Sequence, residues 1–155
     1  MAAVVADTSP LIALHQIGHL PVLKSLFVEV QIPPAVAREA TRSLPELPSW
    51  ITTRKLTQPI GSEVLRASLG RGESEALALA VEVKAEVVIL DDRPARRLAL
   101  GLGLPVVGTM GILLRAKRTG FIPSVRPLLE QLLDVGFRLS PAIREKVLTD
   151  AGEQG

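Results

Sequence analysis

Acidic residues follow two apolar segments of this sequence at points where the chain is expected to turn. Asp7 comes directly after the apolar segment Ala3–Ala6. Asp91 and Asp92 come directly after a second such segment, Val87–Leu90. Parallel strands of an open α/β sheet end at the same edge, and ligands of such sheets bind at that edge. If the two segments are neighbouring strands, we expect the three carboxylates to lie close together.

Two further acids lie on the apolar faces of predicted helices. Glu39 follows Val36 by three residues, so both lie on one helix face. Glu73 precedes Ala76 and Leu77 by three and four residues and therefore begins the core-facing stripe of its helix. A carboxylate on an apolar stripe is costly unless another group compensates its charge.

Several carboxylates packed together repel one another, and their pKa values rise until a cation enters. A hard divalent ion with oxygen ligands relieves this repulsion, and Mg²⁺ typically binds a few protein carboxylates while it keeps several waters. Such an ion polarises a phosphoryl oxygen and lowers the pKa of a bound water. The acidic residues therefore favour metal-assisted hydrolysis of a phosphodiester.

Each acid also has a purely structural interpretation. Asp7 is able to cap the helix that follows it, and Asp91 or Asp92 the next one. Glu39 alone is typical of an exposed helical acid, and Glu73 of a first-turn acid that the helix dipole favours. The catalytic interpretation rests on the fact that one topology accommodates all of these positions.

The composition predicts a single α/β domain over residues 1–155. Apolar residues make up 47% of the 155 residues and aromatic residues only 3%, so the core must be aliphatic. Absence of cysteine excludes disulfides and thiolate metal sites. The sequence shows neither a secretory signal nor an apolar run of membrane-spanning length, which is approximately 18 residues. We therefore expect a cytoplasmic protein that does not cross a membrane.

Apolar runs and turn residues predict five strands in a mostly parallel sheet with helices on both faces, a three-layer sandwich. The predicted strands are Ala3–Ala6, Phe27–Ile32, Trp50–Lys55, Val87–Leu90 and Pro105–Val107. The clearest helix is Glu73–Ala85, where Ala76, Leu77, Ala80 and Val81 share a face.

The other predicted helices begin mostly at proline or hydroxyl residues. The first has Pro10 in its first position, is capped by Thr8 or Ser9, and stops at Gly18. The remaining helices are one beginning at Pro21, one in "PPAVAREATR", Ser62–Leu69, Arg93–Gly101, one in "GTMGILLRAKRTG", Pro123–Val135 and Pro141–Thr149.

Four segments together resemble the PIN domain, and in particular a prokaryotic PIN-like subgroup related to the VapC ribonuclease toxins. They are "VVADTSPLIAL", "GESEALALA", "VVILDDRPARRLA" and "LPVVGTMGILLRAKRTGFI", and the resemblance extends from Val4 to Leu148. It implies a five-stranded parallel sheet and an acidic site that uses Mg²⁺ or Mn²⁺ to cut single-stranded RNA. It also implies RNA and a small antitoxin protein as partners, and a homodimer.

The resemblance assigns metal-binding and catalytic roles to four acidic positions. They correspond to Asp7, Glu39, Glu73 and either Asp91 or Asp92, with Glu75 as the alternative at the third position. The toxins usually have Thr-x-Asp or Thr-x-Asn after the fourth strand, where this chain has "LDDR". The sequence therefore leaves open which aspartate is used and whether one metal or two are held.

Substrate contacts are expected beside the acids. By resemblance Ser9 orients water or substrate, and Thr109 with its neighbouring backbone N–H groups lies where it would bind a phosphate. Arg93, Arg96 and Arg97 would attract a polyanion in a manner that salt weakens; taken alone, such a cluster is more typical of a solvated helix face. Aromatic residues are so few that base stacking is not predicted.

Two alternatives come from other functional classes. A phosphoryl-handling α/β domain also gathers aspartates at strand ends, but "DTS" lacks the second aspartate of a dehalogenase-type phosphatase. A receiver domain would need a lysine after the last strand, and "PVVGT" has none. The second alternative is a catalytically weak or silent PIN-like module that binds nucleic acid or protein.

Overall fold

A five-stranded, entirely parallel sheet lies at the centre of the computed structural model, which describes residues 3–154. The strands are β1 (Val4–Ala6), β2 (Val30–Ile32), β3 (Ile51–Thr53), β4 (Val87–Ile89) and β5 (Val106–Val107). They lie in the order β3-β2-β1-β4-β5. The α/β sandwich with a parallel five-stranded sheet that the sequence predicts is thus confirmed.

Residues 3–154 contain nine helices. They are α1 (Thr8–Gln16), α2 (Val22–Phe27), α3 (Pro34–Ala40), α4 (Ile60–Leu65), α5 (Arg71–Val83), α6 (Arg93–Gly101), α7 (Thr109–Arg118), α8 (Arg126–Asp134) and α9 (Pro141–Asp150). Across this part of the chain, each helix is too short or too polar to cross a bilayer.

The strand order reverses between β1 and β4, and this reversal sets the position of the site. β1 has β2 on one side and β4 on the other, although β4 follows it by about eighty residues in the chain. Ala6 pairs with Ile89, and the Asp7 N–H donates to the Ile89 carbonyl at 3.0 Å. A crevice forms where strand connections diverge in this way, and Asp7 and Asp91 follow the two strands that border it.

The core is aliphatic, as the composition predicts. The largest fully buried side chains of residues 3–154 are all leucine or isoleucine: Leu11, Leu14, Leu23, Ile32, Leu44, Leu77, Leu79, Ile89, Leu90, Ile112, Leu113 and Leu129. The predicted apolar face of α5 needs one correction. Ala76, Leu77 and Ala80 are fully buried, whereas Val81 is 49% exposed because it lies at the margin of the buried stripe.

Most predicted boundaries differ from the structure by one to three residues; the predicted Trp50–Lys55, Glu73–Ala85 and Pro123–Val135, for example, are Ile51–Thr53, Arg71–Val83 and Arg126–Asp134. Two of the differences have clear local reasons. The predicted strand Phe27–Ile32 begins only at Val30, because Val28 has φ of +68° and the Glu29 N–H donates to the Phe27 carbonyl at 2.7 Å. This is a tight three-residue turn that no strand accommodates. The helix predicted over Ser62–Leu69 instead covers Ile60–Leu65, and hydrogen-bonded turns follow it to Leu69.

A single carboxylate near the C-terminus fastens α8 to α7. Glu153 accepts hydrogen bonds from the Val125 and Arg126 N–H groups at 2.7 and 2.9 Å, and from Lys117 Nζ at 2.9 Å. Lys117 Nζ also donates to the Ala151 carbonyl. Although burial alone would raise the pKa of Glu153, these donors lower it to about 2. The segment after α9 is thereby held on the rest of the fold.

We predict that Glu153→Ala lowers the free energy of unfolding by about 3 kcal/mol, because it leaves two backbone N–H groups and an ammonium without their acceptor. The matched control is Asp150→Ala, which removes an exposed ion pair with Lys146 of 3.2 Å. That change should cost less than about 0.5 kcal/mol. Urea denaturation of both variants measures the difference, and equal losses would contradict the structural role of Glu153.

Candidate active site

Asp7 lies at the end of β1 with only 4% of its surface exposed. Helix α1 begins at Thr8, so Asp7 occupies the N-cap position, and the predicted cap at Thr8 or Ser9 with Pro10 as first helical residue is wrong. Within residues 3–154 the Asp7 carboxylate makes no side-chain capping bond. The purely structural interpretation of Asp7 as a helix cap is therefore not supported.

Asp7 shares a small pocket with two other acids. The pocket has a volume of about 230 Å³ and is lined by Asp7, Thr8, Ser9, Glu39, Gly70, Arg71, Gly72 and Glu73. Glu39 reaches it from α3, and the Thr8 hydroxyl donates to Glu39 Oε2 at 2.9 Å. Glu73 enters from the first turn of α5, where its Oε1 accepts from the Gly70 N–H at 3.2 Å.

Gly72 lets α3 and α5 approach each other at the pocket. A Cβ atom at this position would lie 2.6 and 2.8 Å from the two carboxylate oxygens of Glu39. Glu39 therefore occupies the space that any other residue at position 72 would fill. This close approach is what brings the Glu39 carboxylate beside Glu73.

Glu75, the alternative to Glu73, is directed elsewhere. Its Oε1 accepts a hydrogen bond from the Ala35 N–H at 2.9 Å, in the first turn of α3. Glu75 thus fastens the helix that carries Glu39 to the helix that carries Glu73. Of the two glutamates, Glu73 lines the pocket and Glu75 does not.

Asp91 is held in place by Thr109 at the start of α7. Asp91 Oδ1 accepts from the Thr109 N–H at 2.8 Å, and Oδ2 accepts from the Thr109 hydroxyl at 2.6 Å. Thr109 is fully buried and donates both of its groups to this carboxylate. The expected contact between Thr109 and substrate is therefore not supported, because its donors already serve Asp91.

Asp92 caps α6, since its Oδ2 accepts from the Ala95 N–H at 3.1 Å. Asp92 also lines a larger cleft together with Asp91 and Glu73. The two aspartates thus differ in their anchors but face the same cavity. Glu73 belongs to both cavities and joins the small pocket to the larger cleft.

The charges in the site raise the pKa values of two acids. Burial raises the pKa of Asp7 to about 7, and the charges of Glu73, Glu39 and Asp91 add to this, against a smaller lowering by the Thr8 N–H. Burial and the neighbouring charge of Asp92 raise the pKa of Glu73. The carboxylates therefore lie close enough to repel one another, as the sequence predicts for strand ends that meet at one edge.

The donor set suits a hard divalent cation, although it is not a finished metal cage. Among residues 3–154, no group of three or more Asp, Glu, His or Cys side chains is arranged to hold a metal ion as it stands. The observation that favours a cation is the buried Asp7 carboxylate, whose pKa is raised first by burial and then by the charges of neighbouring acids. The oxygen atoms of Asp7, Glu39, Glu73 and Asp91 are the ligand type that Mg²⁺ and Mn²⁺ prefer.

The larger cleft has a volume of about 930 Å³ and extends from the acids along α6 and α7. Arg93 and Arg96 line it, and Arg96 Nη1 donates to the Leu90 carbonyl at 2.9 Å. A Cβ atom at Gly108 would lie 2.6 Å from Arg96 Nη1 and 2.8 Å from Asp91 Oδ1, so a side chain here would have to displace one or both of these groups. Arg97 does not line the cleft; together with Arg93, Arg96 and Leu100 it borders a second hollow on α6.

The fold and the acidic crevice define a class: a parallel α/β domain with carboxylates gathered at the point where its strand order reverses. A family model described as a PIN domain (DUF3368) matches residues 3–153. The chain therefore belongs to the PIN-domain family, as its resemblance predicts. This family has a nuclease-type fold, and its members are generally nucleases that use divalent metals. No curated protein matches the chain.

Several residues of the site are not identified by the sequence pattern. Thr8 was expected only as a cap, yet it holds Glu39. Gly72 and Gly108 each leave room for a carboxylate, which the sequence pattern does not predict. One signal for Gly72 is present in the sequence. Glycine is a poorer helix former than alanine, so a glycine next to an acid on the apolar stripe indicates that space is needed there.

We predict that Asp7→Asn makes stability less dependent on pH. The pKa of Asp7 is about 7 in the folded chain and 3.8 in an unfolded chain, so ionisation opposes folding as the pH rises from about 4 to about 7. Relative to the asparagine variant, the metal-free wild type should lose up to about 4 kcal/mol over this window and then level off. Urea denaturation at several pH values measures this, and parallel curves for the two proteins would contradict it.

We predict that Gly72→Ala weakens metal binding about tenfold, because the added methyl group must displace the Glu39 carboxylate. Gly61→Ala is the control, since its Cβ atom would meet Ala78 Cβ at an ordinary 3.8 Å. The measurement is the rise in unfolding temperature with Mn²⁺ concentration. If both variants respond to Mn²⁺ like the wild type, Glu39 does not take part in binding the metal.

Proposed function

We propose that this chain is a metal-dependent endoribonuclease that hydrolyses phosphodiester bonds of single-stranded RNA. One observation carries the proposal: a nearly buried Asp7 whose pKa rises to about 7 beside Glu39, Glu73 and Asp91. A structural role does not require a carboxylate in this position. Its presence at the strand-order reversal of a PIN-domain fold is typical of a site built for a cation and a phosphate.

Asp7, Glu39, Glu73 and Asp91 would hold Mg²⁺ or Mn²⁺ through their carboxylate oxygens, and Asp92 is the alternative to Asp91. When bound, such an ion supplies a polarised phosphoryl oxygen and a water of lowered pKa. The existing anchors favour this assignment, because the Thr8 hydroxyl and the two Thr109 donors fix Glu39 and Asp91 before any ion arrives. Positions fixed in advance reduce the cost of ordering ligands.

The other residues around the pocket would bind and orient the substrate. Arg93 and Arg96 line the cleft beside the acids and would contact RNA phosphates. Ser9 is exposed and lines both cavities, so its hydroxyl is placed to orient a water or a phosphate oxygen.

The silent PIN-like module is the second candidate, and the absence of a finished metal cage among residues 3–154 is the observation that favours it. Such a module would bind RNA without cutting it. A toxin role, a small antitoxin partner and a homodimer stay predictions from the resemblance.

The test is cleavage of a fluorescent single-stranded RNA of mixed sequence by the purified chain with Mn²⁺. We predict that Asp7→Asn and Glu73→Gln each lower the rate at least a hundredfold, since each removes a charged ligand from the site. Omission of Mn²⁺, or its removal with EDTA, should abolish cleavage by the wild type.

Glu75→Gln is the matched control for Glu73→Gln, because the glutamine side-chain oxygen is still able to accept from the Ala35 N–H. Its rate should stay within a few-fold of the wild type. Cleavage by Asp7→Asn at the wild-type rate would mean a contaminating nuclease and would reject the proposal. RNA binding without cleavage by the wild type would identify the silent module.

A further inference from the structure

The large cleft does not end at the acids. From Glu73 and Asp91 it continues past α7 to the segment between α8 and α9, where Phe137, Arg138 and Leu139 line it. These residues are about 45 positions further along the chain than Asp92. The far wall of the cleft is therefore built by a part of the chain that contributes none of the acids of the site.

The cleft is lined by side chains of both charges. Besides the acids they include Arg93 and Arg96 of α6 and Arg138 of the α8–α9 segment. Arginine binds phosphate through a planar fork of donors. Three arginines in one cleft with the acids complement a polyanion that extends from the acids to the α8–α9 segment.

The same wall carries an aromatic ring. Phe137 is one of only three phenylalanines in the chain; it packs partly on the core and lines the cleft. Met110, Leu139 and Ile143 add apolar surface around the same cavity. A ring fixed from behind by core packing and open to a cleft on its other side is a suitable platform for a nucleobase.

The wall is held firmly enough to act as a binding surface. At the end of α8 the Phe137 N–H donates to the Leu132 carbonyl at 2.9 Å, and at the start of α9 the Ser140 hydroxyl accepts from the Ile143 N–H. Both ends of the segment are thus tied by hydrogen bonds. A fixed ring and a fixed arginine lose little freedom when a ligand binds.

We propose that the α8–α9 segment forms a binding subsite for the RNA strand that flanks the cleavage position, in which Phe137 stacks on a base and Arg138 contacts a phosphate. The subsite rests on the proposed function, because it takes the same substrate. It gives base stacking a role that the small number of aromatic residues does not predict. The subsite requires an unpaired base, so it selects single strands over duplexes.

The test separates binding from cleavage by using the Asp7→Asn chain and a fluorescent single-stranded oligoribonucleotide, with binding measured by fluorescence anisotropy. In this background Arg138→Ala should weaken binding severalfold and lower the slope of log affinity against log salt concentration by about 0.7, as the loss of one phosphate contact requires. Arg118→Ala is the control, since Arg118 is exposed at the opposite end of α7 from Thr109.

Phe137→Leu keeps an apolar side chain against the core but removes the ring. It should weaken binding of the single strand about tenfold and leave the weaker binding of a duplex of the same sequence unchanged. Phe121→Leu is its control, because Phe121 is 49% exposed in the segment that follows α7. Circular dichroism of each variant verifies that the fold is retained.

The outcomes distinguish the subsite from the proposed function. Loss of binding in both Arg138→Ala and Phe137→Leu, with unaffected controls, supports the subsite even if the wild type never cuts RNA. Wild-type cleavage combined with unchanged binding in the two variants overturns the subsite and leaves the nuclease intact. Failure of the Asp7→Asn chain to bind any RNA, or equal effects of test and control variants, also overturns it.

Discussion

The burial of the Asp7 carboxylate beside other acids is the constraint on which the site depends. Removing a carboxylate from water and placing it near like charges raises its pKa, and the fold tolerates this at the end of β1. The strand pairing fixes the backbone of Asp7 at this edge, because the Asp7 N–H donates to the Ile89 carbonyl of β4. The repulsion between Asp7 and the neighbouring carboxylates thus follows from the arrangement of the strands, and a cation or a proton at Asp7 relieves it.

Each of the other acids in the site is held by a hydrogen bond from a neighbouring group. Glu39 is held by Thr8, Glu73 by the Gly70 N–H, Asp91 by Thr109, and Asp92 by the Ala95 N–H. Each of these bonds fixes a carboxylate at the rim of the same crevice. The hydrogen bond from the Ala35 N–H, in the first turn of α3, to Glu75 also links α3 to α5. Site geometry and helix packing therefore depend on the same few contacts.

Local patterns were sufficient to predict the sheet and the acids at its edge. Buried strands such as Val87–Ile89 are continuous apolar runs. An acid that directly follows such a run in the sequence must lie at the end of the strand. The sequence alone does not decide between Glu73 and Glu75, because the difference depends on where the first turn of α3 lies against α5. The strand boundary at Val30 also escaped prediction, since the turn at Val28 uses a backbone angle that valine rarely adopts.

The far wall of the cleft also could not be predicted from the sequence, and the reason differs from that for the strand boundary. Phe137 and Arg138 lie in a segment whose composition is that of an ordinary helix connection, and only the docking of α8 and α9 brings them to the cleft. That docking depends on Glu153, near the end of the chain. Contacts between such distant positions leave no periodic signal in a single sequence.

The most direct test of the account is a carboxyl ¹³C NMR titration of Asp7, assigned by comparison with the Asp7→Asn spectrum and repeated with Mg²⁺. The account predicts a pKa near 7 without metal, well above the 3.8 of an ordinary aspartate, and a fall of at least one unit when Mg²⁺ binds. An Asp7 that titrates near 3.8 and does not respond to Mg²⁺ would contradict it.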